Sequence, residues 1–208
     1  MNRTWVISTH RRKKHKENGI NKSNLLLVSI MECFFIIGIF SVKMYPDSVF
    51  SVWLENTTAI FTTEAVSKPI FSNLLISLSI SLSFHIVAFL FGLSAAGILF
   101  SVFVVSLYGF LWGGMLSKIM SISSNGILCA IVLLIPYFSV TSVTLINEIK
   151  SAAMMSVDIL KYLIKSDTGS TKYTLKEYLM KFCILTVPYA AASAIYSVCV
   201  IIFGKLIV

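Results

Sequence analysis

The chain has 208 residues, 57% of them hydrophobic and 12% charged, with a formal net charge of +8. That balance excludes an ordinary soluble domain and leaves room for one membrane domain and little else. The basic excess does not point to nucleic acid, because the Lys and Arg residues flank apolar runs instead of forming a face on a soluble fold.

Residues 1–24 are a basic tail whose cluster His10–Lys16 reads as a topology signal and would attract anionic lipid headgroups. Five apolar runs follow, near 25–45, 70–91, 97–117, 127–147 and 182–203, each about the twenty residues a helix needs to cross a bilayer. Lipid cannot satisfy open backbone groups, so runs this long and continuous are helices. The expected fold is all-α, a polytopic bundle of five spans forming a single membrane domain over 25–208. With the N-terminus in the cytoplasm, thirteen of the seventeen basic residues fall inside, and only Lys43, Lys68, Lys118 and Lys205 fall outside. The C-terminus then faces outward. Ser41-Val42-Lys43-Met44-Tyr45-Pro46 offers no small-residue cleavage site, so the first run reads as an uncleaved helix.

Among the connections, residues 46–69 form the largest outward surface. Val49, Val52, Trp53 and Ile60 recur there at roughly helical spacing, which predicts a short amphipathic helix at the outer membrane surface with Trp53 at headgroup level. Gly92–Gly97 is so short that spans two and three form a tight hairpin. The third connection is a Ser-rich turn. The fourth, about 148–181, is expected to be a cytoplasmic amphipathic segment continuing span four, with Ile149, Ala153, Val157, Leu160 and Ile164 on one arc. Asp167–Ser170 should break it, and Thr174-Leu175-Lys176-Glu177 has capping-box spacing for the fifth helix.

Two ionisable residues fall within spans. Glu32 in span one and His85 in span two differ in depth by about 3 Å at 1.5 Å per residue, so they form a candidate intramembrane polar pair. An unpaired acid near a span's centre costs about 2.5–3.5 kcal/mol, which gives such a partner its value. Structural pairing is the preferred role. Small residues mark helix contacts: Gly109 and Gly113 form a GxxxG in span three, and Ala88 and Gly92 keep the same spacing in span two. Packing within one chain is preferred to a dedicated dimer face, although a homo-oligomer stays open. Ser77 and Ser81 lie on one side of span two, with Ser79 and Ser83 nearly opposite, which suits a helix packed on both flanks. Pro136 and Pro188 should kink spans four and five.

No catalytic residues, cofactor or metal are expected. Walker A, HExxH and GxSxG patterns are absent from the sequence, and Ser94 lies in an ordinary small-residue turn. Cys33, Cys129, Cys183 and Cys199 lack CxxC spacing and metal-ligating neighbours, so they read as packing residues.

The order of features resembles the stage II sporulation protein M family. The resemblance rests on Ile70-Phe71-Ser72-Asn73-Leu74, Phe91–Gly97, Tyr108–Gly114, and Asn125-Gly126-Ile127-Leu128 leading to Leu133-Leu134-Ile135-Pro136, across about residues 25–205. Just after that proline, where many members have a polar residue or two, this chain has Tyr137-Phe138. The resemblance implies a non-enzymatic scaffold of a sporulation engulfment complex in the bacterial cytoplasmic membrane, at the mother-cell septal or engulfing membrane. Its implied partners are the peptidoglycan-degrading stage II sporulation proteins D and P, besides membrane lipids. Asn73, Gly92, Gly97, Gly109 and Gly113 are the expected architectural positions, for helix packing or a partner interface. The competing class is a small transporter or permease subunit using Glu32 and His85, although no internal repeat favours it. A cytoplasmic-side sensor using the tail and the 149–164 helix is a third.

Overall fold

The computed structural model describes residues 4–122, 125–165 and 175–207. Its helices are α1 (Thr4–Met44), α2 (Val49–Phe61), α3 (Thr63–Ser67), α4 (Ile70–Gly92), α5 (Gly97–Ile122), α6 (Gly126–Cys129), α7 (Ile135–Lys165) and α8 (Leu175–Ile207), with a π-helical turn at Ala130–Leu134. The described residues contain no strand. Five segments are long and apolar enough to cross a membrane: Lys22–Met44, Ile70–Gly92, Gly97–Ser121, Gly126–Ile164 and Leu175–Gly204. The fold is therefore an all-helical bundle with the composition of an integral membrane protein.

Span four is longer than the apolar run suggests. After the π turn, α7 runs unbroken from Ile135 to Lys165, through the Asn147-Glu148 pair that reads in sequence as the end of the span. Of the apolar arc expected to lie against the membrane or the bundle in its second half, Ile149 is buried in the bundle, whereas Leu160 and Ile164 are exposed. The buried face instead follows Tyr137, Thr141, Leu145, Glu148, Ala152 and Met155, at three- and four-residue spacing. Residues 166–174, which hold the expected break and Thr174 of the expected capping box, lie outside the described residues, and α8 is described from Leu175 with Glu177 in its first turn.

The two prolines act differently. Pro136 has no N–H for the carbonyl four residues back, and the chain adapts just before it: Ile135 N–H bonds Ala130 O across a five-residue π turn. Pro188 sits inside an α8 that continues on both sides.

α1 packs chiefly on α5, and the two run parallel. Backbones touch where glycines stand. A Cβ on Gly109 would lie 2.3 Å from Met31 O, one on Gly113 2.0 Å from Phe35 O, and one on Gly38 2.2 Å from Phe110 O. Only residues without side chains permit this approach. α4, α7 and α8 pack against one another, and α4 and α7 also against α5, which is enclosed on most of its sides.

The 46–69 connection is seated in the bundle. Ser48 caps α2, its hydroxyl accepting the Ser51 N–H at 3.2 Å. Ser51, Leu54, Thr58, Phe61 and Ala65 are buried, at a strict 3-4-3-4 spacing. Val49, Val52 and Trp53, expected on the apolar side of a helix at the membrane surface, lie outside the bundle: Val49 is 89% and Trp53 50% exposed. The expected helix exists, and it differs from the expectation in being seated in the bundle through its opposite face. In α4 likewise only one flank is enclosed, because Ser77 and Ser81 are buried while Ser79 and Ser83 are exposed. Ser83 bonds Ser79 O of its own helix at 2.8 Å.

Candidate functional site

The inward stripe of α4 is Asn73, Ser77, Ser81, His85, Ala88 and Gly92. The rest of α4 is apolar apart from Ser72, Ser79 and Ser83, and its larger polar side chains, Asn73 and His85, turn toward the bundle instead of lipid. His85 lies midway along the stripe. Its Nδ1 is 2.5 Å from Glu148 Oε1. The other carboxylate oxygen accepts the Tyr189 hydroxyl at 2.9 Å. On the far side of the ring, Nε2 is 3.3 Å from Thr186 Oγ1, which also lies 3.1 Å from Phe182 O. Phe182 and Tyr189 flank the imidazole, with ring centroids 5.1 and 5.6 Å away. Glu148 is fully buried.

One proton lies between Nδ1 and Oε1. With the Thr186 hydroxyl donating to Phe182 O, Nε2 donates to Thr186, and the remaining proton resides on either the imidazole or the carboxyl. Either assignment leaves the pair without net charge. That neutrality is what allows a carboxyl to sit inside an apolar bundle, because an ion without a partner there carries a large desolvation penalty.

Glu32, the partner expected from depth, does not meet His85. It is exposed on α1, whose packed face is Met31, Phe35 and Gly38 against α5. Equal depth matches two residues along the membrane normal but says nothing about lateral neighbours, and the neighbours of α4's inward stripe are α7 and α8.

Tyrosines continue the polar seam. The Tyr137 hydroxyl donates to Ser77 O at 2.6 Å and also meets the Ser81 hydroxyl. Tyr108 and Thr141 pair at 2.5 Å, and Tyr196 donates to Phe61 O at 2.7 Å. Toward the Gly92–Gly97 end, Tyr178 donates to Phe89 O at 2.9 Å. Phe89, Tyr178 and Phe182 form an aromatic layer there, with centroids 4.8–5.3 Å apart, between His85 and that end of the bundle.

The other expected positions have identifiable tasks. Asn73 Nδ2 donates to Ala65 O at 2.7 Å and ties α3 to α4. Gly92 gives room to Tyr178, since a Cβ there would lie 2.0 Å from the phenol oxygen and 2.8 Å from Ala152 Cα. Gly97 lies against Phe91 O across the hairpin, where a Cβ would come within 2.2 Å. Gly109 and Gly113 face α1, as described. Among the described residues no group of three His, Cys, Asp or Glu side chains gathers as a metal site would require. The four cysteines are free: Cys129 is buried, Cys199 half-buried, and Cys33 and Cys183 exposed.

No family model, curated protein or solved structure matches the chain.

Proposed function

We propose that the chain is a non-enzymatic membrane scaffold of a sporulation engulfment complex, one that positions peptidoglycan-degrading partners at the mother-cell membrane. In this reading the basic tail and the 165–175 end face the cytoplasm and the α2–α3 end faces outward. The partners are proteins of the stage II sporulation D and P type, and the wall chemistry is theirs.

The supporting observation is where the residues behind the resemblance lie. Asn73, Gly92, Gly97, Gly109, Gly113 and Gly126 each stand at a close approach or hydrogen bond that holds helix to helix or closes a turn. Close backbone approaches of this kind make a rigid helical frame, which is what a scaffold requires. Because Gly109 and Gly113 already face α1, partner contacts on this reading belong to outward positions such as Leu99, Phe103, Val143, Ile184 and Val187, all exposed.

The test is photo-crosslinking from those five positions in sporulating cells. Crosslinks to wall hydrolases from a subset of positions are the expected result. Adducts with an ATPase, or with no envelope protein from any position, would overturn the scaffold reading.

One observation favours the transport alternative, with Glu148 in place of Glu32: a fully buried carboxyl sharing a proton with His85. Intramembrane ionisable groups of this kind mark proton or ion pathways elsewhere. In sealed proteoliposomes, proton flux lost in Glu148→Gln would favour a carrier, and flux no greater than that of empty vesicles would dismiss it.

A further inference from the structure

We infer that α2 is a re-entrant element of the membrane domain, and that its outer face, Val49, Val52, Trp53 and Ile60, is a lipid-contact surface for acyl chains. It is not an outward surface for water or a protein partner. This stands independently of the scaffold reading.

Depth carries the first part. α5 has 26 residues and is about 39 Å long, against a hydrocarbon layer of about 30 Å. Centred in the layer, it has some 4–5 Å of each end in the headgroups. Measured back from Ile122 along this helix, Glu55 Oε2 bonds Lys118 Nζ at 3.0 Å, about 6 Å in, at the hydrocarbon boundary. Leu54 packs on Gly114, about 12 Å in. Phe61 packs on Trp112 and Phe50 on Phe110, about 15 and 18 Å in. The helix thus lies across the bundle with its one carboxylate at the rim and its phenylalanines toward the bilayer centre.

The hydrogen bonds carry the second part. A chain break inside hydrocarbon is tolerated only where protein satisfies the freed backbone groups. Between α2 and α3 the helix breaks at Thr62, with φ −127° and ψ −91°. The Phe61 carbonyl at that break accepts the Tyr196 hydroxyl, and the Ala65 carbonyl of α3 accepts Asn73 Nδ2. Both donors belong to spans. Tyr196 is eleven residues from the end of α8, about 16 Å in. Side chains from within the bundle therefore do at this break what water does in an exposed loop.

The occupant follows from position. At this depth the neighbouring exposed surface of the bundle is apolar span surface, and the outward arc of α2 continues it with the exposed Val49, Val52 and Trp53 and the half-buried Ile60, interrupted by Asn56. An apolar arc above a carboxylate rim, within the hydrocarbon thickness, matches acyl chains.

The test is Trp53 fluorescence of the purified full chain in phosphatidylcholine vesicles, in a Trp5→Phe background. That leaves Trp53 and the buried Trp112 as emitters. A Trp53→Phe companion gives the Trp112 signal to be subtracted. Quenching several-fold above that companion by lipid brominated near the carboxyl end or middle of the acyl chain is expected, together with little quenching by iodide present on both sides of the membrane. Strong iodide quenching with none from brominated lipid would overturn the inference and place α2 in water. Insensitivity of Trp53 to both quenchers would overturn it too, placing that face against a second copy of the chain.

Discussion

Replacing Glu148 tests the geometry of the buried network most directly. Glu148→Leu removes both acceptors at once, leaving the Tyr189 hydroxyl and His85 Nδ1 buried without partners. Interhelical hydrogen bonds in membrane proteins average about 0.6 kcal/mol and reach about 1.7. A buried ion pair in water-soluble proteins costs about 3–5 kcal/mol when one partner is deleted. The network has two bonds, one of them short and shared between a carboxyl and an imidazole, so a loss of about 2–3 kcal/mol is expected for Glu148→Leu. Glu148→Gln can still accept from Tyr189 and donate to an unprotonated Nδ1, so its cost should be about half that. The assay is reversible unfolding of the full chain in mixed micelles by titrated sodium dodecyl sulfate. Combined with His85→Ala, Glu148→Leu should show a coupling energy of about 1 kcal/mol or more. The Glu32→Ala, His85→Ala pair should add within about 0.3–0.5 kcal/mol. Additive behaviour of Glu148 with His85, or strong coupling of Glu32 with His85, would refute the assignment of Glu148 as the partner.

Three further outcomes follow from the packing. Gly113→Ala should destabilise the bundle by about 1–3 kcal/mol because its Cβ meets main chain 2.0 Å away; Gly204→Ala, which meets the yielding Val66 side chain at 2.7 Å, should cost less in the same micelle titration. Gly92→Ala should be destabilising and be rescued in part by Tyr178→Phe, which removes the phenol oxygen but leaves the contact with Ala152; no rescue would mean that the phenol is not the obstacle. Tyr196→Phe, which leaves the Phe61 carbonyl at the α2 break without its donor, should cost about 1 kcal/mol in the same titration.

The spans were legible because length and apolarity are all that a bilayer crossing demands. Lateral neighbours were not. Glu148 reads in sequence as the end of span four, since a charge beside Asn147 normally signals the headgroups. Yet Tyr137, Thr141, Leu145, Glu148 and Ala152 keep one helical stripe straight through it, and that periodicity was the available signal. For α2 the apolar arc was legible, but the face that seats it in the bundle was not. In water, Val49, Val52 and Trp53 would be the buried face; in lipid the driving force inverts, and Ser51 and Thr58 pack inward while valine and tryptophan remain outside. The glycines of α5 were recognisable as contact points, but nothing in their spacing named α1 as the helix they contact.

The parallel pairing of α1 with α5 imposes an order on biogenesis. α1 is made first and α4 follows it into the membrane, but the groove that receives Met31, Phe35 and Gly38 is on α5, whose Gly113 is translated roughly 75 residues after Gly38. At about 5–20 residues per second, the first helix waits roughly 4–15 s with its close-contact face open to lipid or to the insertion machinery. Of the five spans α8 emerges after the other four, and it carries Tyr189 and Tyr196, which bond Glu148 and the Phe61 carbonyl. Insertion of α8, and not of any earlier helix, is therefore the event that closes both the buried network and the α2 break, so a product truncated before α8 would still carry unfinished polar groups for quality-control proteases to find.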